Sequence, residues 1–362
     1  MDALAANARA IRRHIPSGVR MMCVVKADAY GHGAVNAAKV FARCGADAFA
    51  VAIVEEARIL REAGVDQPIL ILGGAGEASL REAVAVGASQ AVYTPRMLEV
   101  MQEEAQRLGA RAKAHLKLDT GMTRIGVRTA EELDEMLARW RDCPDVEMEG
   151  VFTHFCVADT DPAFTEVQNE RFARGLARVR EAGFTPIAHA AATSAMLEPR
   201  YQYDMVRAGI GLYGSCLDAL SGEIRSAQTL STRPIRIERV GAGESVGYGR
   251  TYFTGRDSVI MTLPIGYGDG YPRLLSNRAS VLVRGRRAPV VGRVCMYMLM
   301  ADITDIPGVT LADEVVLMGA QGGERITPDE LAACAETIPY EIMLGFGARI
   351  PVETTERMSW EG

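Results

Sequence analysis

The chain has 362 residues, of which 48% are apolar and 24% charged, and its formal net charge is −6 at pH 7. The length predicts two domains, or one barrel with an appendage, in a globular protein. A mildly acidic chain without a basic run is a poor partner for nucleic acid or an anionic membrane, and no apolar run approaches the ~20 residues of a membrane span.

The amino terminus and the cysteines predict a cytoplasmic protein. Met1 to Arg13 has the pattern of an amphipathic helix and lacks the apolar segment and cleavage site of a secretory signal. The seven cysteines, including Cys216, are scattered and never spaced C-x-x-C. This usage argues against a disulfide framework or a metal site and indicates a reducing compartment.

The first strand-like run ends on a lysine. Met21 to Val25 is apolar, and Lys26 follows directly, ahead of a Tyr-Gly-His-Gly turn. A buried ammonium group is costly unless it is paired or used chemically, and desolvation frees the amine as a nucleophile. Lys26 could instead reach solvent or pair with Asp28. This stretch alone leaves both interpretations open.

Strand-like and helix-like patterns alternate over the first 213 residues. The predicted strands are Met21–Lys26, Ala48–Ile53, Pro68–Gly73, Gln90–Thr94, Arg111–Asp119, Glu147–Phe155, Ile187–Ala192 and Asp204–Tyr213. The predicted helices include Ala34–Cys44, Glu55–Ala63, Arg96–Leu108, Glu131–Trp140 and Phe164–Ala182. Eight strands separated by helices predict an α/β fold, a (β/α)8 TIM barrel. The rival is a doubly wound sheet, but no G-x-G-x-x-G follows an early strand.

After Ser221 the pattern changes to short β-branched runs separated by Gly and Pro. These runs are Arg233–Val240, Ser258–Leu263, Ala279–Val283, Ala288–Val291, Val294–Asp302 and Glu314–Met318. With one late helix, Pro328–Glu336, they predict a mostly antiparallel β domain. A polar segment near 217–222 serves as the linker, so the expected domains are residues 1–221 and 222–362.

Polar side chains stand where the predicted barrel strands end. They are Lys26, Lys117, Arg124, His154, Thr193, Ser194 and Arg207. Each alone has a structural explanation: His154 as a core histidine, Arg207 as an ion-pair partner, Ser194 as a helix cap. Because barrel enzymes place their chemistry at the carboxyl ends of the strands, one shared site is the more economical interpretation.

Part of this rim suits a phosphate. Gly209 and Ile210 offer backbone N–H groups with little steric cover, and Ser194 adds a hydroxyl. A lysine amine facing a phosphate site is what a pyridoxal phosphate enzyme requires. Arg207 would then face the ring nitrogen, and because an arginine keeps its protons, that nitrogen would stay unprotonated.

The β domain holds a tyrosine in a glycine-dense segment. Tyr248 lies between Gly247 and Gly249, which gives this segment freedom to insert into another surface. Further distinctive stretches surround Tyr267, Arg293 with Met296, and Tyr340. Tyrosine occurs at surfaces and interfaces as often as in catalysis, so each stretch alone is compatible with a structural role.

Together these stretches resemble barrel-type, pyridoxal-phosphate-dependent alanine racemases. The matching motifs surround Lys26, Lys117, His154, Arg207, Tyr248, Tyr267, Met296 and Tyr340, in this order over nearly the whole chain. The resemblance implies that Lys26 carries the cofactor and is one base, while Tyr248 of the partner subunit is the base on the opposite face. Two bases on opposite faces permit racemisation. His154 and Arg207 would poise the tyrosine.

The resemblance also assigns binding residues and an assembly. Tyr30, Ser194, Gly209, Ile210 and Tyr340 would hold the phosphate. Arg124 and the Met296 backbone N–H would bind the substrate carboxylate, and Lys117 matches a lysine that can be carbamylated to orient Arg124. Asp159, Tyr267 and Arg293 would line the entrance channel. A head-to-tail homodimer with shared sites and a role in supplying D-alanine for peptidoglycan are implied as well.

Three features depart from the family pattern. The family usually carries a strand before the position of Met1, so the chain is either truncated or stable without it. Thr193-Ser194 stands where Asn-Ser is frequent, and Tyr297 replaces an aspartate. The last two bear on substrate range and rate more than on reaction type.

Three other functions remain to be weighed. A racemase acting on serine or a broader set of amino acids shares all these motifs, although Tyr340 favours small alanine. A decarboxylase of the same fold would lack the Tyr248 loop. A non-catalytic pyridoxal phosphate carrier would need neither that loop nor the β domain.

Overall fold

A computed structural model of the chain describes residues 1–215, 218–347 and 349–355. Two compact units divide it, Met1–Ile224 and Arg225–Gly362. Cys216 and Leu217, the latter at the start of the expected linker, lie outside the described residues.

Eight parallel strands form the first unit. They are β1 Arg20–Val24, β2 Ala48–Val51, β3 Ile69–Ile71, β4 Ser89–Val92, β5 Ala112–Lys117, β6 Val146–Phe152, β7 Ile187–His189 and β8 Met205–Ala208. Their order is β7-β6-β5-β4-β3-β2-β1-β8. The sheet is closed into a barrel between β7 and β8 by two backbone hydrogen bonds with N···O distances of 3.0 Å. They run from Asp204 N to Ala188 O and from Arg207 N to Ala191 O. The predicted barrel fold is confirmed.

One helix precedes the first strand of this unit, and the others lie between successive strands. The helices are α1 Asp2–His14, α2 Ala34–Arg43, α3 Val54–Glu62, α4 Glu77–Ala85, α5 Pro95–Leu108, α6 Ala130–Arg141, α7 Pro162–Glu181 and the single turn α8 Pro199–Gln202. α7 begins two residues before its predicted start because Asp161 accepts a hydrogen bond from Phe164 N and Pro162 occupies the first turn. In the described part of the chain, no helix has both the length and the apolarity that crossing a membrane requires.

The second unit is an antiparallel β domain, as expected. Its strands are β9 Leu230–Thr232, β10 Arg236–Val240, β11 Ser245–Val246, β12 Tyr252–Phe253, β13 Ser258–Leu263, β14 Ser280–Val283, β15 Arg286–Pro289, β16 Leu299–Asp302, β17 Val315–Gln321 and β18 Glu324–Ile326. Two helices, α9 Pro328–Cys334 and α10 Pro339–Gly345, follow the last strand. Residues of β13, β14 and β17 fill its apolar core, including Met261, Leu282 and Leu317, and in β14 and β17 consecutive residues are buried.

Gly270 marks a close backbone approach in this domain. Its φ is +100°, and a Cβ built there would stand 1.9 Å from the Gly345 carbonyl oxygen at the end of α10. Neither the conformation nor the space tolerates a side chain. We expect Gly270→Ala to lower the free energy of unfolding by about 2 kcal/mol or more, measured by thermal denaturation.

The matched control for Gly270→Ala is Gly255→Ala, because a Cβ at Gly255 meets nothing within 4 Å. The control should melt within a degree or two of wild type, since it removes little but chain flexibility. Equal melting temperatures for the two variants would contradict this account.

Candidate active site

The lysine that follows β1 begins a left-handed turn. The strand stops at Val24, two residues before its predicted end, and the turn covers Lys26–Gly31. Within the turn, four consecutive residues that are not glycines have φ between 50° and 55°: Ala27, Asp28, Ala29 and Tyr30. This conformation costs an L-residue about 1–2 kcal/mol. The sequence could not reveal this left-handed backbone, because the usual signal is a glycine and none of these four residues is one.

Hydrogen bonds from outside hold the turn in place. Ala27 N donates to Glu56 Oε1 at 2.6 Å, and Ala34 N donates to Asp28 Oδ1 at 2.7 Å. Tyr30 is buried, with its ring 4.8 Å from that of Tyr213. Asp28 therefore serves the turn and the start of α2, and no ion pair with Lys26 is needed to explain it.

Burial lowers the pKa of two lysines on this rim, Lys26 and Lys117. Lys26 is partly buried, and its pKa is lowered by burial and then by the nearby charge of Arg124. Burial lowers the pKa of Lys117 to about 7, with a further contribution from the charge of Arg207. Lys117 Nζ donates to the Leu118 carbonyl at 3.0 Å. A lysine in this state can act as a nucleophile near neutral pH.

Arg207 is buried and fixed by five hydrogen bonds. Its guanidinium donates to His189 Nδ1 (2.8 Å), the His189 carbonyl (3.2 Å), the Thr153 carbonyl (2.8 Å), the Ala190 carbonyl (2.7 Å) and His154 Nδ1 (3.3 Å). Burial lowers the pKa of Arg207 to about 9, which still leaves it charged at neutral pH. All five acceptors are neutral groups, so none of these bonds pairs the buried charge directly with a carboxylate.

His154 is held neutral beside this charge. Burial, followed by the charge of Arg207, lowers the pKa of His154 well below its usual range. Because Arg207 can only donate, the Nδ1 of His154 must accept, and its proton must sit on Nε2. His154 can therefore donate a hydrogen bond from Nε2 toward an anionic group.

The predicted phosphate site has Thr193 rather than Ser194 beside Gly209. Thr193 Oγ1 accepts from Gly209 N at 3.1 Å and from Gly211 N at 3.4 Å, whereas Ser194 is exposed in the same turn. Ile210 is buried and begins a short 3-10 helix. The role of Ser194 stays a prediction.

Most of the site residues predicted in the second unit lie on two loops. Tyr248 is 72% exposed, and its neighbours Gly247 and Gly249 have φ of +75° and +73°. A Cβ at Gly249 would stand 3.2 Å from the Arg293 guanidinium carbon, so Arg293 lies against the Tyr248 loop. Close packing and left-handed backbone together explain why glycines flank the tyrosine.

The other loop brings Tyr267 and Met296 together. Tyr267 N donates to the Cys295 carbonyl at 3.0 Å, and Gly268 N donates to the Met296 carbonyl at 2.8 Å. Tyr340 is partly buried within α10, and Arg124 and Asp159 are exposed on the first unit. The binding and entrance roles of all these residues stay predictions. Within the described ranges, no group of three His, Cys, Asp or Glu side chains is placed to hold a metal ion.

Three residues linked to Arg207 through hydrogen bonds were missed in the sequence: the buried His115 and His189, and the partly buried Glu149. His189 accepts directly from Arg207, and His115 bridges His189 and Glu149. The available signal was the two-residue spacing of His115 and Lys117, which places both on one face of β5.

Family models match both units. Residues 1–216 match the model described as alanine racemase, N-terminal domain, and residues 227–354 match alanine racemase, C-terminal domain.

Relatives of known name and solved structures agree with these models. An alanine racemase of Symbiobacterium thermophilum is 46% identical, with 97% of this chain and 94% of that protein covered. Alanine racemase 2 of Oceanobacillus iheyensis is 40% identical, at 100% and 94% coverage. The structure of alanine racemase from Streptomyces coelicolor A3(2) superimposes with a TM-score of 0.91 at 32% identity, covering 97% and 95%. The structure of alanine racemase from Bacillus anthracis with bound L-Ala-P superimposes with a TM-score of 0.87 at 34% identity, and the match covers 96% of this chain and 92% of that one.

The parallel barrel and the antiparallel β domain that follows it are the fold of these solved alanine racemases, and with the two matching family models they place the protein in the class of barrel-type amino-acid racemases. The chain belongs to the alanine racemase family. The resemblance inferred from the motifs and the expected enzyme class are confirmed.

Proposed function

We propose that this protein interconverts L-alanine and D-alanine with pyridoxal phosphate, and so supplies D-alanine for peptidoglycan. The observation that carries the proposal is the barrel rim, where a lysine with a lowered pKa shares one edge with a buried arginine and the Gly209 turn. A relative named alanine racemase that is 46% identical over nearly the whole chain supports alanine as the substrate.

The rim residues fit this cofactor. A Cβ at Gly209 would come 3.4 Å from the Tyr30 hydroxyl and 3.5 Å from Thr193 Oγ1, so the missing side chain leaves a space bordered by two hydroxyls. Hydroxyls and backbone N–H groups are the donors that a phosphate accepts. The N–H groups of Gly209 and Gly211 would exchange the neutral Thr193 oxygen for a stronger, charged acceptor.

Each rim residue then has a task. Lys26 would hold the cofactor covalently, and Tyr30, Ser194, Gly209, Ile210 and Tyr340 would hold its phosphate. Arg207 would face its ring nitrogen as a fixed donor, which keeps that nitrogen unprotonated. When bound, pyridoxal phosphate supplies the conjugation that makes the α-proton of an amino acid acidic.

The chain's own residues move and orient protons. Lys26 takes or returns the α-proton at Nζ, and Tyr248 of the partner subunit does so at its phenolic oxygen on the other face. The neutral His154 donates from Nε2 and thereby stabilises the phenolate. Arg124 and the Met296 backbone N–H bind the substrate carboxylate, while Asp159, Tyr267 and Arg293 line the entrance channel.

The first test follows handedness and α-proton exchange together. The purified protein with pyridoxal phosphate is incubated with L-alanine in deuterated water. We expect deuterated alanine of both hands. Release of carbon dioxide would point to a decarboxylase, and turnover of L-serine but not L-alanine would overturn the substrate assignment.

We also propose that the active form is a cytoplasmic homodimer with shared sites. Tyr248 and Arg293 sit together in the second unit, whereas Lys26 lies in the first, and Tyr248 is largely exposed in the single chain. The absence of C-x-x-C pairs is consistent with a reducing compartment. Light scattering should give twice the 39.1 kDa chain mass. A monomer with full racemase activity would contradict this proposal.

We further expect Lys117 to form a carbamate that orients Arg124. The step joins the Lys117 nitrogen to carbon dioxide and releases one proton, so it needs the neutral amine. Because the pKa of Lys117 is about 7, carbamylation should increase as pH rises through 7 and be lost below it. Labelled bicarbonate should give one carbamate carbon signal by 13C NMR.

Only four lysines occur in the chain, at positions 26, 39, 113 and 117, so the carbamate signal can be assigned by substitution. It should vanish in Lys117→Ala and persist in Lys39→Ala, which changes an exposed lysine of α2. A signal that survives Lys117→Ala would refute the assignment.

A further inference from the structure

A row of hydrogen-bonded side chains runs through the barrel interior away from Arg207. Arg207 Nη1 lies 2.8 Å from His189 Nδ1, and His189 Nε2 lies 2.9 Å from His115 Nδ1. His115 Nε2 then lies 3.1 Å from Glu149 Oε2. The row thus joins the catalytic rim to a carboxylate that the proposed reaction does not use.

The guanidinium dictates the direction of every bond in this row. Since Arg207 can only donate, His189 Nδ1 accepts, and a neutral His189 must carry its proton on Nε2. His189 therefore donates to His115 Nδ1, which leaves the His115 proton on Nε2. His115 in turn donates to Glu149. Both imidazoles are thus confined to one tautomer.

Glu149 ends the row as a carboxylate. It also accepts from Ser89 Oγ and, at 3.0 Å, from Lys113 Nζ. Burial alone would raise the pKa of Glu149, but the bonds from His115 and Ser89 outweigh it and lower the pKa to about 2. Glu149, Ser89 and His115 line a cavity of about 30 Å³ at the amino end of the barrel, where β1 and β4 begin.

The packing around the row is specific. A Cβ at Gly150 would stand 2.2 Å from His115 Nδ1, so only glycine leaves room for the bridging ring. The His189 ring stacks on Phe152 with 4.8 Å between centroids and an angle of 2°. Such packing restricts both rings to the orientation that the hydrogen bonds require.

We propose that Glu149, His115 and His189 are positioning residues that fix the orientation of Arg207 and balance its buried charge. A buried guanidinium surrounded by neutral acceptors is costly, and two polarised imidazoles connect it to the negative charge of Glu149. Only the consequence for catalysis rests on the proposed function. The confinement of the tautomers follows from the chain alone.

The test is the protonation of the histidine rings. The chain has five histidines, so 15N labelling of histidine in the full-length protein loaded with pyridoxal phosphate gives an assignable NMR spectrum. We expect His115 and His189 to carry their protons on Nε2. Glu149→Leu removes the last acceptor and should move the signals of both rings, although of the two rings only that of His115 is hydrogen-bonded to Glu149.

Two further variants distinguish the effect of the Glu149 charge from a general disturbance of the fold. Glu149→Gln keeps an acceptor oxygen, so the Nε2 tautomers should persist while the His115 Nε2 signal moves because the charge is gone. Glu147→Gln, an exposed glutamate of the same strand, should change neither ring. A proton on Nδ1 of either histidine in wild type would overturn the proposal, as would unmoved ring signals in Glu149→Gln.

Kinetics test the catalytic consequence. Losing the hydrogen-bond partner of a metal-bound histidine typically costs 10-fold to 100-fold, and by analogy we expect Glu149→Leu to lower kcat for alanine by about 10-fold or more while KM changes little. Unchanged kcat beside altered ring signals would overturn the positioning role. If wild type does not racemise alanine, the ring signals still decide whether the row exists.

Discussion

Lys26→Ala is expected to lower the rate of L-alanine racemisation by about 10⁴-fold or more and to abolish covalent attachment of pyridoxal phosphate. Lys26 supplies both the proposed anchor and one proposed base, and its lowered pKa comes from its own burial and from Arg124. Alanine at this position can provide neither function. Chiral chromatography would measure the first effect. The second would be measured by the absorbance of protein that is reduced with borohydride, which makes a lysine–cofactor bond permanent, and then denatured and desalted.

Lys39→Ala is the matched control for Lys26→Ala, because Lys39 is exposed on α2, one helix further along the chain. It should retain wild-type racemisation and cofactor content. Substantial racemisation by Lys26→Ala, with cofactor still attached, would mean that another lysine carries the chemistry. Lys117, with a pKa of about 7, would be the first to examine.

Tyr248→Phe is expected to have the second largest effect, a loss of about 10²–10⁴-fold in racemisation. The substitution keeps the ring and removes only the phenolic oxygen that would carry the proton. When L-alanine and D-alanine are incubated separately in deuterated water, only one of them should exchange its α-proton, and it should keep its handedness, because Lys26 is then the single remaining base. Handedness and deuterium content would be measured in the same sample by chiral chromatography with mass detection.

Tyr252→Phe is the control for this second variant. Tyr252 lies on β12, four residues further along, and its hydroxyl reaches Asp302 within the same domain at 3.5 Å. Its racemase activity should stay within a factor of two of wild type. Equal activity of Tyr248→Phe and wild type would remove Tyr248 from the mechanism.

The barrel could be predicted from the sequence because its strands are apolar runs separated by helical periodicity and glycine stops. Strand ends were harder, since β1 stops at Val24 and residues 27–30 of the turn after it have a left-handed backbone without being glycines. Short edge strands such as Ser245–Val246 and Tyr252–Phe253 were missed because two residues carry no periodicity. The missed α10 is a seven-residue helix that begins at Pro339.

The site could be predicted only as far as polar residues mark strand ends. Lys26, His154 and Arg207 were identified this way, and the structure brings His154 and Arg207 to 3.3 Å. Thr193 was regarded as a departure from the family pattern, yet it makes the hydrogen bonds to the Gly209 turn. Glu149 gave no signal, because its importance depends on partners 34 and 60 residues away along the chain.

In the left-handed turn after β1, a substitution that raises the stability of the fold is expected to lower activity. Ala27 and Ala29 occupy backbone conformations that glycine adopts freely, so glycine at either position would relieve strain in the folded protein. The same change would loosen the segment that begins with Lys26. Selection for thermal stability alone would therefore favour variants here that impair turnover, and an engineered, more stable form should leave these two alanines untouched.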